Sequence, residues 1–181
     1  TAFTCGYASG PSYGGITGIF PLGKIILGDI MSYTSLLYHI VFRTHCSVPA
    51  ITEEYERELY KFIYGFVKGK GCVLHRIGGM PDHIHLLLEI PPTYALSDFM
   101  RELKISARNY IEANAQLFPK FNGWAKSYAA FTYAMGDKDV VKNYIQNQKE
   151  HHRKRSWNEE MFELFREYGL EDRFPFYCKE E

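Results

Sequence analysis

The stretch PDHIHLLLEI, residues 81–90, decides the fold because it reads as a β-strand with two different faces. Neighbouring side chains of a strand point to opposite sides of the sheet. One face carries Ile84, Leu86 and Leu88. The other face carries His83, His85, Leu87 and Glu89. Because the branched apolar set must be buried against helices, the sequence predicts that the two histidines lie side by side on the opposite face of the sheet.

Further strands and helices are predicted on both sides of this stretch. The β-branched and aromatic run YTSLLYHIVFRT indicates a strand, and apolar residues at helical spacing indicate helices that begin at Thr52, Ser97 and Asp137 and stop at glycines such as Gly69 and Gly169. The predicted strands are 33–44, 72–77, 83–90 and 127–133. The predicted helices are 52–69, 97–115, 137–153 and 158–168.

The order of these elements is β-α-β-β-α-β, followed by a long helix and a short C-terminal helix. Two split β-α-β units form one antiparallel sheet with both helices on one face. The sequence therefore predicts an α+β, ferredoxin-like (RRM-like) fold. The other sheet face remains available to a ligand or to the two extra helices.

Three parts of the chain differ in composition. Residues 1–30 are rich in Gly, Ser, Thr and Tyr and lack clear periodicity, whereas alternation begins near Met31. We expect an N-terminal extension over 1–30, a folded domain over 31–155 and an acidic helical tail over 156–181. The extension is either a passenger upstream of a natural start at Met31 or a native arm that packs on the domain.

Charge is unevenly distributed although the formal net charge is zero. Residues 101–155 hold 11 Lys and Arg against 5 Asp and Glu, whereas residues 156–181 hold 3 against 8. A basic segment of this kind predicts a polyanionic partner, because distribution matters more than the total when one face binds phosphates. The alternative is two solvated helix surfaces of opposite sign.

The cysteines and the hydropathy pattern favour a cytoplasmic protein. The four cysteines are widely spaced and form no C-x-x-C pair, which is typical of reduced thiols rather than a disulfide frame or a zinc site. They are Cys5, Cys46, Cys72 and Cys178. No stretch approaches the roughly 20 apolar residues of a membrane span, so no membrane partner is expected.

His83 and His85 form the first candidate site. Two imidazoles at positions i and i+2 of a strand can hold one cation and leave its other positions to a substrate oxygen. A packing role for both histidines is the alternative. For His39 and His75, which lie in other strands without such a partner, a structural role is favoured.

The helix DKDVVKNYIQNQKEHHRKR, residues 137–155, carries the second candidate site. Tyr144 and Gln148 are four residues apart and therefore share one face of a continuous helix. A polar stripe that ends in basic residues is unusual for a helix that merely fills a core. The alternative is that Tyr144 packs beside Val141 and Ile145.

Four segments together resemble the single-tyrosine HUH transposase family, the insertion-sequence 200/605 type that includes REP-associated tyrosine transposases. They are YHIVFRT (38–44), GMPDHIHLLL (79–88), LSDFMRELK (96–104) and YIQNQKEHH (144–152). The resemblance covers residues 31–170 and makes 31–155 the catalytic domain. It implies metal ligands His83 and His85, a nucleophile at Tyr144 and a third metal ligand at Gln148, for which His151 or His152 could substitute.

The resemblance also implies an activity. Such a protein is a metal-dependent transposase that cleaves and rejoins single-stranded DNA through a 5′-phosphotyrosine intermediate and recognises hairpin ends. Mg²⁺ or Mn²⁺ is the expected cofactor, although Zn²⁺ or Ni²⁺ can substitute in crystals. The expected partners are single-stranded DNA and a second copy in a homodimer, with no nucleotide cofactor. The substrate would lie in the nucleoid of a prokaryotic cell. Basic residues expected to contact DNA are Lys104, Arg108, Arg153, Lys154 and Arg155.

Several alternatives remain open at this point. The enzyme could be a domesticated nuclease that processes chromosomal palindromes. A non-catalytic nucleic-acid-binding module of the same fold is a second alternative, and a small metal-binding regulatory protein is a third. The sequence also leaves open whether Tyr144 completes the metal site of its own chain or that of a partner.

Overall fold

A four-stranded antiparallel sheet in the order β2-β3-β1-β4 forms the centre of the computed structural model, which describes residues 34–153 and 156–179. Predictions about residues 1–30 and about Lys154 and Arg155 therefore lie outside the described residues. The strands are β1 (Leu37–Arg43), β2 (Val73–Met80), β3 (His83–Glu89) and β4 (Ala129–Tyr133). Strand β1 lies between β3 and β4, and its register pairs Val41 with His85 and Arg43 with His83.

One face of the sheet is covered by helices α1 (Glu56–Gly69) and α2 (Leu96–Ala113). Ile84, Leu86 and Leu88 of β3 are fully buried there, in one core with apolar side chains from both helices. The apolar face of the deciding stretch therefore packs as predicted. The strand order and the two helices confirm the ferredoxin-like α+β fold.

The opposite face of the sheet is covered by the helices that follow β4. They are α3 (Lys138–Gln146), α4 (Gln148–His152), α5 (Trp157–Glu167) and α6 (Phe174–Lys179). Two smaller apolar clusters form there, one between the sheet and α5–α6 and one between the sheet and α3. The extra helices thus occupy the face that the sequence leaves available.

The prediction of one continuous helix over 137–153 is wrong, because the helix is interrupted at Asn147, between α3 and α4. Asn147 leaves helical geometry with φ −98° and ψ 18°, and its N–H donates to the carbonyls of Asn143 and Tyr144. Asn is a weak helix former because its side chain competes for main-chain hydrogen bonds. Tyr144 and Gln148 therefore belong to two successive helices.

Helix ends are mostly shifted by a few residues from their predicted positions. Helix α1 follows Tyr55 rather than Thr52, and α2 follows Ala95 rather than Ser97. Gly169 follows α5 with φ +64°, as a C-terminal glycine should. Helix α6 was not predicted. No helix in the described parts of the chain combines the length and apolar character needed to cross a bilayer.

Candidate metal and nucleophile site

His83 and His85 lie side by side on β3, fully buried beneath the C-terminal helices. Their ring centroids are 5.1 Å apart. This is the arrangement that strand alternation predicts. Because the face that holds them is covered by α3 to α5, residues far along the sequence complete their surroundings.

Both imidazoles are oriented by a hydrogen bond to Nδ1. The Nδ1 atom of His83 lies 2.7 Å from Oδ1 of Asp82, and Nδ1 of His85 lies 2.9 Å from Nε2 of His39. The Nε2 atoms of His83 and His85 are buried without a hydrogen-bond partner among the described residues. Histidines that bind metals are held in this way, with the second nitrogen fixed by a neighbour.

His39 and His75, for which a structural role is predicted, each contact a neighbouring side chain. His39 on β1 stacks on His85, with ring centroids 5.2 Å apart and the hydrogen bond described above. His75 lies 2.7 Å from Oε1 of Glu89 at an irregularity in the pairing of β2. A structural role fits both residues, and for His39 that role is to orient a histidine of the site.

Glu160 on α5 points its carboxylate at the two free imidazole nitrogens. Its Oε2 lies 4.0 Å from Nε2 of His83, and its Oε1 lies 3.8 Å from Nε2 of His85. The carboxylate is almost completely buried. Sequence reasoning missed Glu160 as a site residue.

Three other polar side chains converge on the same carboxylate. The hydroxyl of Tyr144 and the amide nitrogen of Gln148 both donate to Oε1, the latter at 2.8 Å. Nε2 of His152 lies 2.7 Å from Oε2. The predicted nucleophile, the predicted third ligand and one of its predicted substitutes are therefore brought together at Glu160, within a single chain.

The Tyr144 ring lies against the histidine cluster. Its centroid is 6.1 Å from that of His85 and 6.0 Å from that of His39, and it also contacts His151 at 5.2 Å. A cavity of about 140 Å³ opens beside the tyrosine. Its lining comprises Tyr144, His151, His152, Glu160, Glu163, Leu164 and Glu167.

Burial governs the protonation of the aromatic groups in the site. Burial lowers the pKa of His39 to about 4 and holds the pKa of His85 well below its usual range, although the nearby carboxylate of Glu160 opposes both shifts. Burial, followed by the charge of Glu160, raises the pKa of Tyr144 far above its usual range. His39 and His85 are therefore neutral near pH 7, as metal-binding imidazoles must be.

Glu160 remains ionised despite its burial. Burial alone would raise its pKa, but the hydrogen bonds from His152, Tyr144 and Gln148 hold the pKa well below its usual range. A carboxylate that accepts several hydrogen bonds is stabilised in its charged form. The site thus holds one buried negative charge.

The donor set fits a divalent cation. One ligand atom each from His83, His152 and Glu160 lies within 4.8 Å of the others. The side-chain oxygen of Gln148 is also buried without a hydrogen-bond partner among the described residues. Imidazole nitrogens together with carboxylate and amide oxygens suit Mn²⁺, Mg²⁺ and related ions.

Gly78 on β2 allows α3 to approach the sheet closely. A Cβ atom at this position would lie 2.8 Å from the carbonyl oxygen of Ile145 and 3.0 Å from its Cγ2. Because Ile145 follows Tyr144 in the chain, the missing side chain of Gly78 sets how near the tyrosine helix comes to the histidines.

Arg43 fastens the end of the C-terminal helices to β1. Its guanidinium donates to the carbonyls of Tyr177 at 3.1 Å and Cys178 at 3.0 Å, and lies 5.1 Å from the ring centroid of Trp157. A capping box between Ser156 and Glu159 starts α5. These contacts fix the helix that carries Glu160.

One sequence signal could have revealed Glu160. The S-x-x-E pattern of the capping box predicts where the helix begins, and Met161, Leu164 and Phe165 then mark its apolar face. Glu160 lies one turn before Leu164 and therefore faces the sheet with them. A carboxylate on the buried face of a helix indicates a partner that compensates its charge.

Each of the predicted DNA-binding residues that the structure describes has a partner within the protein. The ammonium group of Lys104 donates to the carbonyls of Ala125, Lys126 and Ser127 at 2.7–3.0 Å, so it organises the loop before β4. Arg108 pairs with Glu112 on the exposed side of α2, and Arg153 pairs with Glu150. Their contact with DNA stays a prediction.

Known proteins share both the sequence and the fold. The family described as IS200-like transposase matches residues 32–148. The ISDra2 transposase TnpA of Deinococcus radiodurans is 30% identical over 117 residues, which cover 62% of this chain and 84% of that protein. The transposase of insertion sequence element IS200 from Salmonella typhimurium is also 30% identical, over 76% of its length.

Solved structures add to this similarity. A crystal structure of a Deinococcus radiodurans protein described as a transposase aligns with a TM-score of 0.51 and 27% identity, over 64% of this chain and 93% of that one. A REP-associated tyrosine transposase bound to a REP hairpin aligns at 15% identity with a TM-score of 0.49, which is too weak to bear on fold or ligand. The family match and the curated relatives together show that this chain belongs to the IS200-like transposase family.

Proposed function

We propose that this chain cleaves and rejoins single-stranded DNA, with Tyr144 as the nucleophile and a divalent cation held by His83, His85 and Gln148. Family membership makes it a transposase of the IS200 type, an enzyme that cuts and transfers DNA strands. One observation carries the finer proposal. The phenol of Tyr144 and two oriented imidazoles with free Nε2 atoms surround the same buried point.

The protein groups have distinct roles in this proposal. Asp82 and His39 fix the orientation of His83 and His85, so that both Nε2 atoms face the site. When bound, a divalent cation supplies Lewis-acid chemistry that offsets the charge of the scissile phosphate. Binding of the phosphate beside Tyr144 converts the attack into a step between groups that are already in position.

The covalent step exchanges one ester bond for another. The Tyr144 oxygen forms a bond to phosphorus, and the bond from phosphorus to the 3′ oxygen breaks, which leaves a 5′-phosphotyrosine and a free 3′ hydroxyl. The phenolic proton leaves Tyr144, and the departing 3′ oxygen gains a proton. Because the ester energy is retained, attack by a 3′ hydroxyl can reverse the step and rejoin strands without ATP.

A basic groove on α2 supports DNA as the substrate. The groove lies between α2 and the loop before β4 and has a volume of about 380 Å³. Its lining includes Arg101, Lys104, Arg108 and Lys126, together with Trp124 and Tyr128. Cations with interleaved aromatic rings suit a phosphate backbone with an unstacked base.

The groove and the histidine site lie at the same end of the sheet. Trp124 forms a β-bridge with Thr44, whose N–H donates to the carbonyl of Asp82 at 2.8 Å, one residue before His83. A strand that leaves a hairpin in the groove could pass this end of the sheet to reach Tyr144. Hairpin recognition is therefore part of the proposal.

Several finer predictions belong to the same proposal. Tyr144 lies beside the histidines of its own chain, which supports an active site that forms in cis. Homodimer formation, Mg²⁺ or Mn²⁺ as the working ion and a cytoplasmic location remain predictions.

The decisive test is the covalent adduct between the protein and a hairpin-bearing single-stranded oligonucleotide. With Mn²⁺ or Mg²⁺ we expect wild-type protein to form an adduct that survives a denaturing gel, whereas Tyr144→Phe forms none, because it has no nucleophilic oxygen. Its binding of the oligonucleotide should remain near that of wild type.

Tyr133→Phe is the matched control. Tyr133 lies on the same side of the sheet, with its ring 6.1 Å from that of His39, but its hydroxyl is not placed at Glu160. It should form the adduct normally. An adduct that persists in Tyr144→Phe would assign the nucleophile to another residue.

A further inference from the structure

Helix α5 lies outside the segment that matches the transposase family, which ends at residue 148. Nevertheless its Glu160 is the side chain on which Tyr144, Gln148 and His152 converge. This carboxylate therefore lies in a part of the chain that the family match does not cover.

The distances from the two carboxylate oxygens of Glu160 to the two imidazoles are compatible with a shared ion. Separations of 3.8 and 4.0 Å between a carboxylate oxygen and Nε2 are too long for hydrogen bonds. Metal–nitrogen and metal–oxygen bonds are each about 2.0–2.2 Å long, so two ligand atoms of one ion are at most about 4.0–4.4 Å apart. The Nε2 atoms of His83 and His85 are buried without a hydrogen-bond partner among the described residues.

Neighbouring residues hold the carboxylate in this orientation. The Gln148 amide nitrogen donates to Oε1 and the His152 imidazole pairs with Oε2, so each oxygen is fixed separately. Helix α6, which follows α5, is fixed by Arg43 of β1 through the carbonyls of Tyr177 and Cys178. Hydrogen bonds offset part of the cost of burying this anion, and a cation at the imidazole nitrogens would offset more of it.

We propose that Glu160 is itself a ligand of the catalytic cation, so that α5 adds a carboxylate to the site formed by His83, His85 and Gln148. This inference rests on the proposed function, because it concerns the same ion. Gln148 and His152 then orient the carboxylate as well as lining the site. The anionic oxygen ligand directs the site towards hard ions such as Mn²⁺ and Mg²⁺.

The test is Mn²⁺ binding by the full chain without DNA, measured by calorimetry or by the electron paramagnetic resonance signal of free Mn²⁺. Glu160→Gln keeps the size of the side chain and removes its charge. We expect the Mn²⁺ dissociation constant to rise by more than about 10-fold, since even groups that only support a metal ligand contribute that much. The loss should be smaller for Ni²⁺, which imidazoles bind well.

Glu163→Gln is the matched control, because Glu163 lies on the same helix and lines the same cavity but is not at the imidazole nitrogens. It should keep the wild-type dissociation constant. If Glu160→Gln fails to fold, Glu160→Asp retains the charge on a shorter side chain. The Glu160→Asp variant should bind Mn²⁺ more weakly than wild type does. It should still bind Mn²⁺ more tightly than a variant with a neutral side chain at position 160.

Unchanged Mn²⁺ affinity in a folded Glu160→Gln would overturn the inference. Adduct formation that rises at the same time would instead identify α5 as a plug that blocks the site. The adduct assay on wild type separates this outcome from the proposed function. Mn²⁺ binding that depends on Glu160 without any adduct would contradict only the cleavage proposal, whereas an adduct with Glu160-independent Mn²⁺ binding would contradict only the ligand role.

Discussion

The two faces of the sheet differ in what they bury. The face under α1 and α2 holds one continuous apolar core, including Ile84, Leu86 and Leu88. The face under α3 to α6 holds two smaller apolar clusters together with buried His39, His83, His85, Gln148 and Glu160. Burying hydrogen-bonded polar groups stabilises a fold less than burying apolar ones, and a buried charge carries a desolvation cost even when it is paired. The first face therefore supplies most of the stability of the fold, and the second accepts a cost in order to hold a site.

Substitutions at neighbouring residues of β3 should show the largest difference between the two faces, because these residues point to opposite sides of the sheet. His85→Ala should remove adduct formation, with a loss of at least about 100-fold, because it deletes an oriented imidazole and leaves Nε2 of His39 without its partner. The measurement is the yield of the covalent adduct with saturating Mn²⁺. Appreciable adduct under those conditions would remove His85 from the site.

Leu86→Ala is the companion change on the other face. It should lower the free energy of unfolding by about 2–5 kcal/mol through lost burial and the cavity left behind. Urea denaturation measures this change, and folded Leu86→Ala should still form the adduct. A Leu86→Ala protein that is as stable as wild type would show that this face is not the main source of stability.

Gly78→Ala tests the contact between β2 and α3, the helix that carries Tyr144. The added methyl group meets the main chain of Ile145, so α3 must shift. We expect adduct formation to fall on the order of 10- to 100-fold from a misplaced nucleophile. The cost in unfolding free energy should be about 1–3 kcal/mol.

Gly65→Ala on α1 is the control for that change, since nothing lies within 4 Å of the added carbon. There the substitution should stabilise the protein by about 0.5–1 kcal/mol, because alanine favours the helix. Its adduct yield should equal that of wild type. Equal behaviour of the two glycine variants would mean that the approach of α3 to β2 is unimportant.

The smallest effect is expected at the exposed edge of the polar face. Lys149 on α4 pairs with Glu53 and Glu56 at 2.8 and 2.9 Å, which joins this helix to the start of α1. Exposed ion pairs contribute little, so Lys149→Ala should barely change the thermal midpoint or the adduct yield. Lys61→Ala, which removes an exposed pair within α1, should behave alike. A large loss of adduct in Lys149→Ala alone would show that this pairing holds α4 in place.

The sequence predicts the apolar face better than the polar face, for a physical reason. Alternation along 81–90 specifies which side chains of β3 are buried under the helices, so the fold and the adjacent histidines follow from local pattern. The partners of those histidines do not. His39 lies 46 residues from His85 along the chain, and Glu160 belongs to helix α5 near the C-terminal end. Their contacts with His85 therefore form only when the chain has folded.

The break at Asn147 illustrates the same limit. Polar spacing from 137 to 153 suits one helix, and local propensity gives only weak evidence for an interruption. In the structure, Tyr144 and Gln148 reach Glu160 from two successive helices. The interruption at Asn147 is a small local departure from helical geometry, which residue spacing alone does not predict.

The clamp formed by Arg43 has a practical consequence for protein engineering. The Arg43 guanidinium binds main-chain carbonyls of α6 and lies against Trp157 at the start of α5. It therefore holds both helices against the polar face of the sheet. Deleting residues 174–179, or fusing a bulky tag directly after them, would remove or disturb the contacts between Arg43 and α6. Affinity tags for this protein are therefore better placed away from α6.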